Sequence, residues 1–487
     1  MLFMDNKSFK ITKWTYSSGG IGRDMAYTLV SMFLITYIQY TMNLTTAQFT
    51  AISTVIVICR VIDAITDPIM GTIIENTRFK YGKFKPWIII GAIANSVVII
   101  LLFVFRVEGW EFVAFFTFAY FMWGITFTIN DISYWSMLPA LTSDAEEREK
   151  ITSLMVVFAT IGSIAAAGLI PIFVVGDAIK KYAGIAIFVA LFFLGCSLMT
   201  GICAKERERE DEKQEKINLL DMFKIIMGND QLVIMAIVVL VYTLGSGLQV
   251  ALGFNFFTFE YNYSVGGEKL FIFTIMYALG TLAPQMSYGS INKKLNRKQI
   301  LHLSMIITAV GYLAFMAFGY IIPRNDILLY SIGFITFFGQ GLFYVVMIIM
   351  LTNTIEYNEF ITGKRYESIV FSVRPFMVKL ASATQQGIVT LVLIVSGIYN
   401  YSSQIAILEQ EKGKNLITME EVFTKADEIV RVASINENML LILRIGMTII
   451  PLILIYIGYY LAVKKYKINE EAYDDIVAEI KKRNKSN

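Results

Sequence analysis

Residues 205–216, KEREREDEKQEK, carry eleven charged side chains in twelve positions and no apolar one. Such a stretch has too little apolar content to enter hydrocarbon and must lie in water. On either side the composition inverts. Six apolar runs precede it, near 20–43, 46–75, 87–105, 112–141, 151–175 and 183–203. Six follow, near 231–260, 268–291, 299–322, 327–355, 367–399 and 438–463. A membrane-crossing helix needs roughly 20 predominantly apolar residues, so the pattern predicts an all-α membrane protein of twelve transmembrane helices in two six-helix bundles. The expected divisions are an N-terminal bundle over 1–204, a cytoplasmic interhalf linker over 205–230, a C-terminal bundle over 231–463 and a cytoplasmic tail over 464–487.

Composition supports the same class. Of 487 residues, 56% are hydrophobic and 17% charged, with a mean hydropathy of +0.60, which excludes secreted and soluble enzymes. The first residues carry Lys7, Lys10 and Lys13 without a long apolar core, so no cleavable signal peptide is expected and the first span directs insertion. Cys59, Cys196 and Cys203 lie in or beside apolar runs without metal-ligand or disulfide spacing and read as packing residues. Lys and Arg fall, by about three to one, in the loops on the side of the two termini, which places both termini in the cytoplasm. A long outward loop, 400–437, is aqueous, and its EEVFTKADEI stretch has modest helical periodicity; the tail INEEAYDDIVAEIKKRNK is expected to be soluble and partly helical.

Two six-span halves joined by a hydrophilic linker look like the major facilitator fold, in which each half is built of inverted three-helix repeats. Within such a fold, charges inside the spans need a reason. Asp63 and Asp67 in RVIDAITDP are four apart on one helix and repel unless a cation lies between them or Arg60 neutralises one. Along TINDISYWSMLP, Thr128, Asp131 and Trp135 share a face. A carboxylate that accepts sugar hydroxyls beside an aromatic ring that covers a pyranose face suits a carbohydrate, although Trp135 could equally pack. Asp24 has Arg23 beside it, either as a cavity residue or as part of a snorkelling anchor. In the second half, Arg374 and Lys379 share ESIVFSVRPFMVKLASA, where Pro375 is expected to bend the helix. Lys379 is the deeper of the two and is expected to pair with a carboxylate of the other half. Glu356, Glu359 and Glu367 read as gate or loop charges at the cytoplasmic mouth. The lone His302 has no nucleophile, base or metal set around it, which argues against a membrane enzyme.

The segments DAITDPIMGTIIENTRFKYGKFKPWIIIGAIANS and TFTINDISYWSMLPALTSDAEERE, with YSSGGIGRDMA, GNDQL and TIEYNEFITGKRYES, resemble the glycoside-pentoside-hexuronide:cation symporters of the major facilitator superfamily. The resemblance covers the whole chain. It implies a sugar or glycoside carried with sodium, lithium or a proton. It makes Asp63 and Asp67 cation ligands, for sodium or alternatively a proton or lithium, and Thr128 their hydroxyl helper. It further makes Asp24 and Asp131 the acids that hold sugar hydroxyls, with Arg23 and Trp135 beside them, and Lys379 the lysine between the sugar and cation sites. Tyr344 stands where the family's best-known member has a tryptophan facing the sugar. Val156 replaces a family arginine, whereas Arg374 and Pro375 replace a glutamine and a threonine, so Arg374 could receive an anionic glycoside such as a hexuronide by bidentate pairing.

The expectation is therefore a non-enzymatic, cofactor-free symporter. It is expected to be monomeric in the cell membrane, with a sugar, a monovalent cation and the lipid bilayer as partners and no nucleic acid. The charges of RFKYGKFK and DAEEREK are placed for a cytoplasmic gate. A sugar-binding membrane sensor, or a carrier of another amphipathic solute on the same fold, is the alternative.

Overall fold

The computed structural model describes residues 6–77, 79–142, 145–206, 219–363 and 367–486. Residues 207–218 of the expected linker lie outside the described residues, as do Ser143, Arg78 and Asp144, the last two belonging to the expected gate loops, and the side chain of Glu367.

All named elements are helices. Helix α1 (Asn6–Thr28) passes through a five-residue π-helical turn, Leu29–Phe33, into α2 (Leu34–Thr41). There follow α3 (Thr46–Asn76), α4 (Lys85–Val104), α5 (Gly109–Leu141), α6 (Ala145–Phe173), α7 (Ala178–Cys203) and the short α8 (Leu219–Gly228). Next come α9 (Asp230–Ala251), α10 (Gly253–Glu260), α11 (Tyr263–Asn292), α12 (Arg297–Ala317), α13 (Asp326–Thr362) and α14 (Glu367–Val395). The chain ends with α15 (Ile398–Gly413), α16 (Met419–Ser434), α17 (Glu437–Met447), α18 (Ile449–Lys464) and α19 (Glu470–Ser486). Among the described residues, eleven helical stretches are long and apolar enough to cross a membrane. The rod α1–α2, interrupted by its π turn, lies at the position of the first expected span, near 20–43, and is not among those eleven.

Two compact units form. The first comprises Met1–Lys213 with Phe254–Phe271 and Leu393–Leu440; the second comprises Gln214–Gly253, Ile272–Val392 and Leu441–Asn487. Two pieces of the second sequence half, one of them containing α15 and α16, thus pack with the first.

In the first unit α1 lies against α6 and α7 at very short range, and glycine is the reason. A β-carbon on Gly22 would come 2.9 Å from Phe193 Cα, and one on Gly162 would overlap the carbonyl of Ile21. Helix α3 starts on a capping box in which Thr45 and Gln48 bond each other's backbone N–H. The 400–437 segment, expected as an outward loop, proves to be a helical hairpin. Helix α16 opens on a second capping box, Thr418 with Glu421, and turns Val422, Ala426, Val430 and Ala433 inward.

The second unit has an apolar core of Leu232, Met235, Tyr242, Leu342, Phe343, Val346 and Ile455 from α9, α13 and α18. Arg444, buried in an apolar run, caps the open carbonyls after α12: its Nη1 donates to Phe318 O, and its guanidinium lies 4.6 Å from the Tyr320 ring centre. Pro375 sits inside an unbroken α14. The tail forms α19, whose Glu470 accepts from Arg297 N at 2.8 Å and whose Arg483 donates to Phe360 O at 2.9 Å.

Candidate functional site

Helices α3 and α5 build an acidic cluster. Asp63 and Asp67 stand one turn apart on α3, and Asp63 is only 8% exposed. Gly124 of α5 faces the Asp63 carboxylate with no side chain between them. One turn further along α5, Thr128 Oγ1 donates to Asp67 Oδ1 at 3.1 Å. Arg60, buried, donates from Nη1 to the Tyr27 hydroxyl at 3.2 Å and lies 5.1 Å from the Trp123 ring centre. Two acids on one helix face inside an apolar bundle repel one another when both are charged, and either a cation between them or the nearby Arg60 guanidinium would offset that repulsion.

Helices α1 and α5 build a second cluster around Arg23. This residue does not snorkel to a membrane surface; it is buried. Its Nη2 and Nε both donate to Asp24 Oδ2, at 2.6 and 3.0 Å, and its Nη1 lies 3.4 Å from Asp131 Oδ1. The guanidinium also rests 4.6 Å from the Tyr134 ring centre and 5.0 Å from that of Trp135. Beneath, Tyr16 and Tyr134 stack at 4.5 Å, each hydroxyl donating to the other residue's carbonyl at 2.6 Å. The buried cation is thereby fixed from below. The acids and the indole remain partly open: the side chains of Asp24 and Asp131 are 26% and 30% exposed, and Trp135 is 42% exposed. Two acceptors and an apolar plate lie side by side, a combination whose chemistry suits polar hydroxyls beside an apolar face.

In the second unit Arg374 Nη2 donates to the Tyr344 hydroxyl at 2.6 Å, with the guanidinium 5.9 Å from the ring centre. Arg374 is exposed and Lys379, five residues on along α14, is half-buried. Among the described residues no carboxylate forms an ion pair with Arg374.

The structure thus brings Asp63, Asp67 and Thr128 into one cluster, Arg23, Asp24, Asp131 and Trp135 into a second, and Tyr344 with Arg374 into a third. Sequence reasoning missed Gly124, Tyr134 and Tyr16. A signal for the first existed, since Gly124, Thr128, Asp131 and Trp135 follow one another at spacings of four, three and four along one helical face.

A family model described as "MFS/sugar transport protein" matches residues 15–470. The chain belongs to this family of sugar transporters. It is 27% identical over 413 residues to the raffinose carrier protein of Pediococcus pentosaceus, covering 78% of this chain and 62% of that protein. It is 28% identical over 412 residues to the lactose permease of Leuconostoc lactis, covering 79% and 62% respectively. The chain therefore spans less than two thirds of the length of these relatives. The crystal structure of a bacterial homologue of the human lysosomal transporter Spinster superposes with a TM-score of 0.65 at 9% identity, covering 95% of this chain and 98% of that one. That likeness shows the major facilitator fold.

Proposed function

We propose that this chain is a secondary symporter that imports a sugar or glycoside together with a monovalent cation by alternating access. It acts in the cell membrane as a monomer with both termini in the cytoplasm. One observation carries the reading. Thr128, bonded to Asp67, and Asp131, held by Arg23, lie three residues apart on α5. A cation that draws Asp63 and Asp67 together acts on the same helix turn that presents Asp131 to a sugar. Coupling of this kind is reciprocal and typically about 1 to 3 kcal/mol, or about 5- to 150-fold in affinity.

In this reading Asp63, Asp67 and Thr128 ligate the cation, and Asp24, Asp131 and Trp135 contact the sugar over the Arg23 support. Tyr344, Arg374 and Lys379 serve the substrate from the second bundle. Sodium is the cation we favour, because the Thr128 hydroxyl adds a neutral oxygen beside the acids, which an alkali ion uses and a proton does not need. Relatives named for raffinose and lactose support a sugar as substrate.

The experiment is sugar binding to the purified protein, screened over lactose, raffinose, xylosides and uronides with and without sodium. Sodium should raise the affinity of at least one sugar, and Asp67→Asn should abolish the increase. Binding indifferent to every cation would favour the sensor alternative.

A second reading is favoured by Arg374 alone. An exposed guanidinium with a tyrosine hydroxyl as its partner suits a carboxylate on the sugar. Uronide binding lost in Arg374→Gln would select this reading, and neutral glycoside binding unaffected by it would reject it.

A further inference from the structure

On the face of the first unit where α2 and α6 end and α3 and α7 begin, the hairpin α15–α16 is attached through its acids. Asp427 of α16 accepts from Ser264 N at 3.0 Å and Ser264 Oγ at 2.6 Å, at the first turn of α11. Glu409 of α15 accepts from the neighbouring Tyr263 hydroxyl at 2.7 Å, and it also reaches across to the α6–α7 turn. There it accepts from Gly176 N at 3.0 Å and Ala178 N at 2.6 Å. Glu409 is fully buried. Further polar contacts join the same two parts of the sequence. Gln39 Nε2 donates to Asn255 Oδ1 at 2.7 Å and Ser402 Oγ at 3.0 Å, Tyr399 donates to Leu44 O at 2.8 Å, and Gln410 Nε2 donates to Thr41 O at 3.1 Å.

The division of labour is clear from chain position. Asp427–Ser264 and Glu409–Tyr263 join pieces of the second sequence half to one another, whereas Glu409–Gly176 and Glu409–Ala178 join them to the first. Alternating access requires that first-half and second-half segments part on each face in turn. Hydrogen bonds suit such a joint, because water replaces them when it opens. We propose that the hairpin 398–434 is a latch, anchored to α11 by Asp427, whose Glu409 carboxyl grips the α6–α7 turn when the passage on this face is shut and releases it when the passage opens. The proposal rests on the transport reading above.

The titratable groups that act on Glu409 are Tyr263 on α11, Asp177 on the α6–α7 turn and Tyr182 on α7; Lys181, also on α7, and Glu411 and Lys412 on its own helix are the nearby charges in sequence. Lys181 is engaged with Val175 O at 2.6 Å. Burial pushes the Glu409 carboxyl above the usual carboxylate range and the Asp177 charge adds to this, against the pull of the Tyr263, Ala178 and Gly176 donors. A released Glu409 is in water with an ordinary value. The latched state therefore binds a proton more tightly, so its grip is complete below the ordinary value and weakens as pH rises through the raised one.

Two experiments on the full chain test this. First, Lys180 Nζ donates to Asn415 Oδ1 at 2.8 Å on the exposed rim of the same joint. Lys180→Cys with Asn415→Cys, in a Cys203→Ser background and joined by a reducible thiol cross-linker, should abolish lactose or raffinose uptake, and reductant should restore it. Uptake that continues with cross-linking complete overturns the latch. Second, hydrogen exchange of peptides over 174–178 should accelerate about tenfold in Glu409→Ala, as expected for loss of the hydrogen bonds that hold Gly176 N and Ala178 N. In Glu409→Gln, whose amide keeps one of the two acceptor oxygens and does not titrate, protection should persist in part but lose the wild-type weakening as pH rises through the raised value. Exchange in Glu409→Ala equal to wild type, or an unchanged pH dependence in Glu409→Gln, also overturns it. Because exchange needs no substrate, these results decide the latch even if the wild type carries neither sugar, an outcome that would count against the transport reading instead.

Discussion

Gly124 of α5 lies directly against the Asp63 carboxylate of α3, so closely that a β-carbon on Gly124 would overlap the carboxylate oxygen Oδ1. The position of Asp63 is thus set by the missing side chain opposite it. Gly124→Ala must push Asp63 aside without removing any charge. Sodium affinity should fall about tenfold, a change of about 1.4 kcal/mol, while sodium-independent sugar binding is kept. Sodium titration of sugar binding checks this; a cation affinity equal to wild type would show that Asp63 is not a ligand.

Arg23 links Asp24 and Asp131 from beneath. Arg23→Gln leaves two acids without their shared partner, so we expect loss of detectable sugar binding and a stability loss of about 3 kcal/mol. Arg23→Lys should restore more stability than binding, because an ammonium cannot reproduce the forked contacts. Thermal unfolding measured beside binding separates the two effects.

Tyr134→Phe keeps the stack on Tyr16 and the face under Arg23 but removes the hydroxyl that donates to Tyr16 O. A loss of about 1 kcal/mol in stability is expected, with sugar affinity lowered severalfold at most. A complete loss of binding would mean that the hydroxyl touches the substrate.

Arg374→Gln should leave neutral glycoside binding within about twofold and reduce uronide binding, where present, about tenfold or more, as befits a charge-assisted bidentate pair. Competition binding with a glucoside and its uronide measures the ratio.

Much of the fold was legible because membrane helices obey one strong rule, that apolar length must match hydrocarbon thickness. The charged segment at 205–216 and the runs on either side gave the two sets of spans. The π turn at Leu29–Phe33 and the break at Thr448 were not legible, since hydropathy is blind to local winding. Of the hairpin 398–434 only the EEVFTKADEI stretch of α16 showed helical periodicity; α15 was read as part of an aqueous loop, because it mixes polar and apolar residues and buries Glu409, which sequence patterns count as surface. In the site, acids on one helical face were readable from spacing. Their supports were not: the reciprocal Tyr16–Tyr134 bonds join residues 118 apart in the chain, and Gly124 matters through an absent side chain.

The central claim is that cation binding at Asp63 and Asp67 drives sugar movement through α5. The most direct test is sugar accumulation in proteoliposomes under an imposed sodium gradient, with a proton gradient as the parallel arm. The account predicts concentrative uptake by the wild type and its loss in Asp63→Asn and Asp67→Asn, with the proteins still folded. Full sodium-stimulated accumulation in either variant would contradict it.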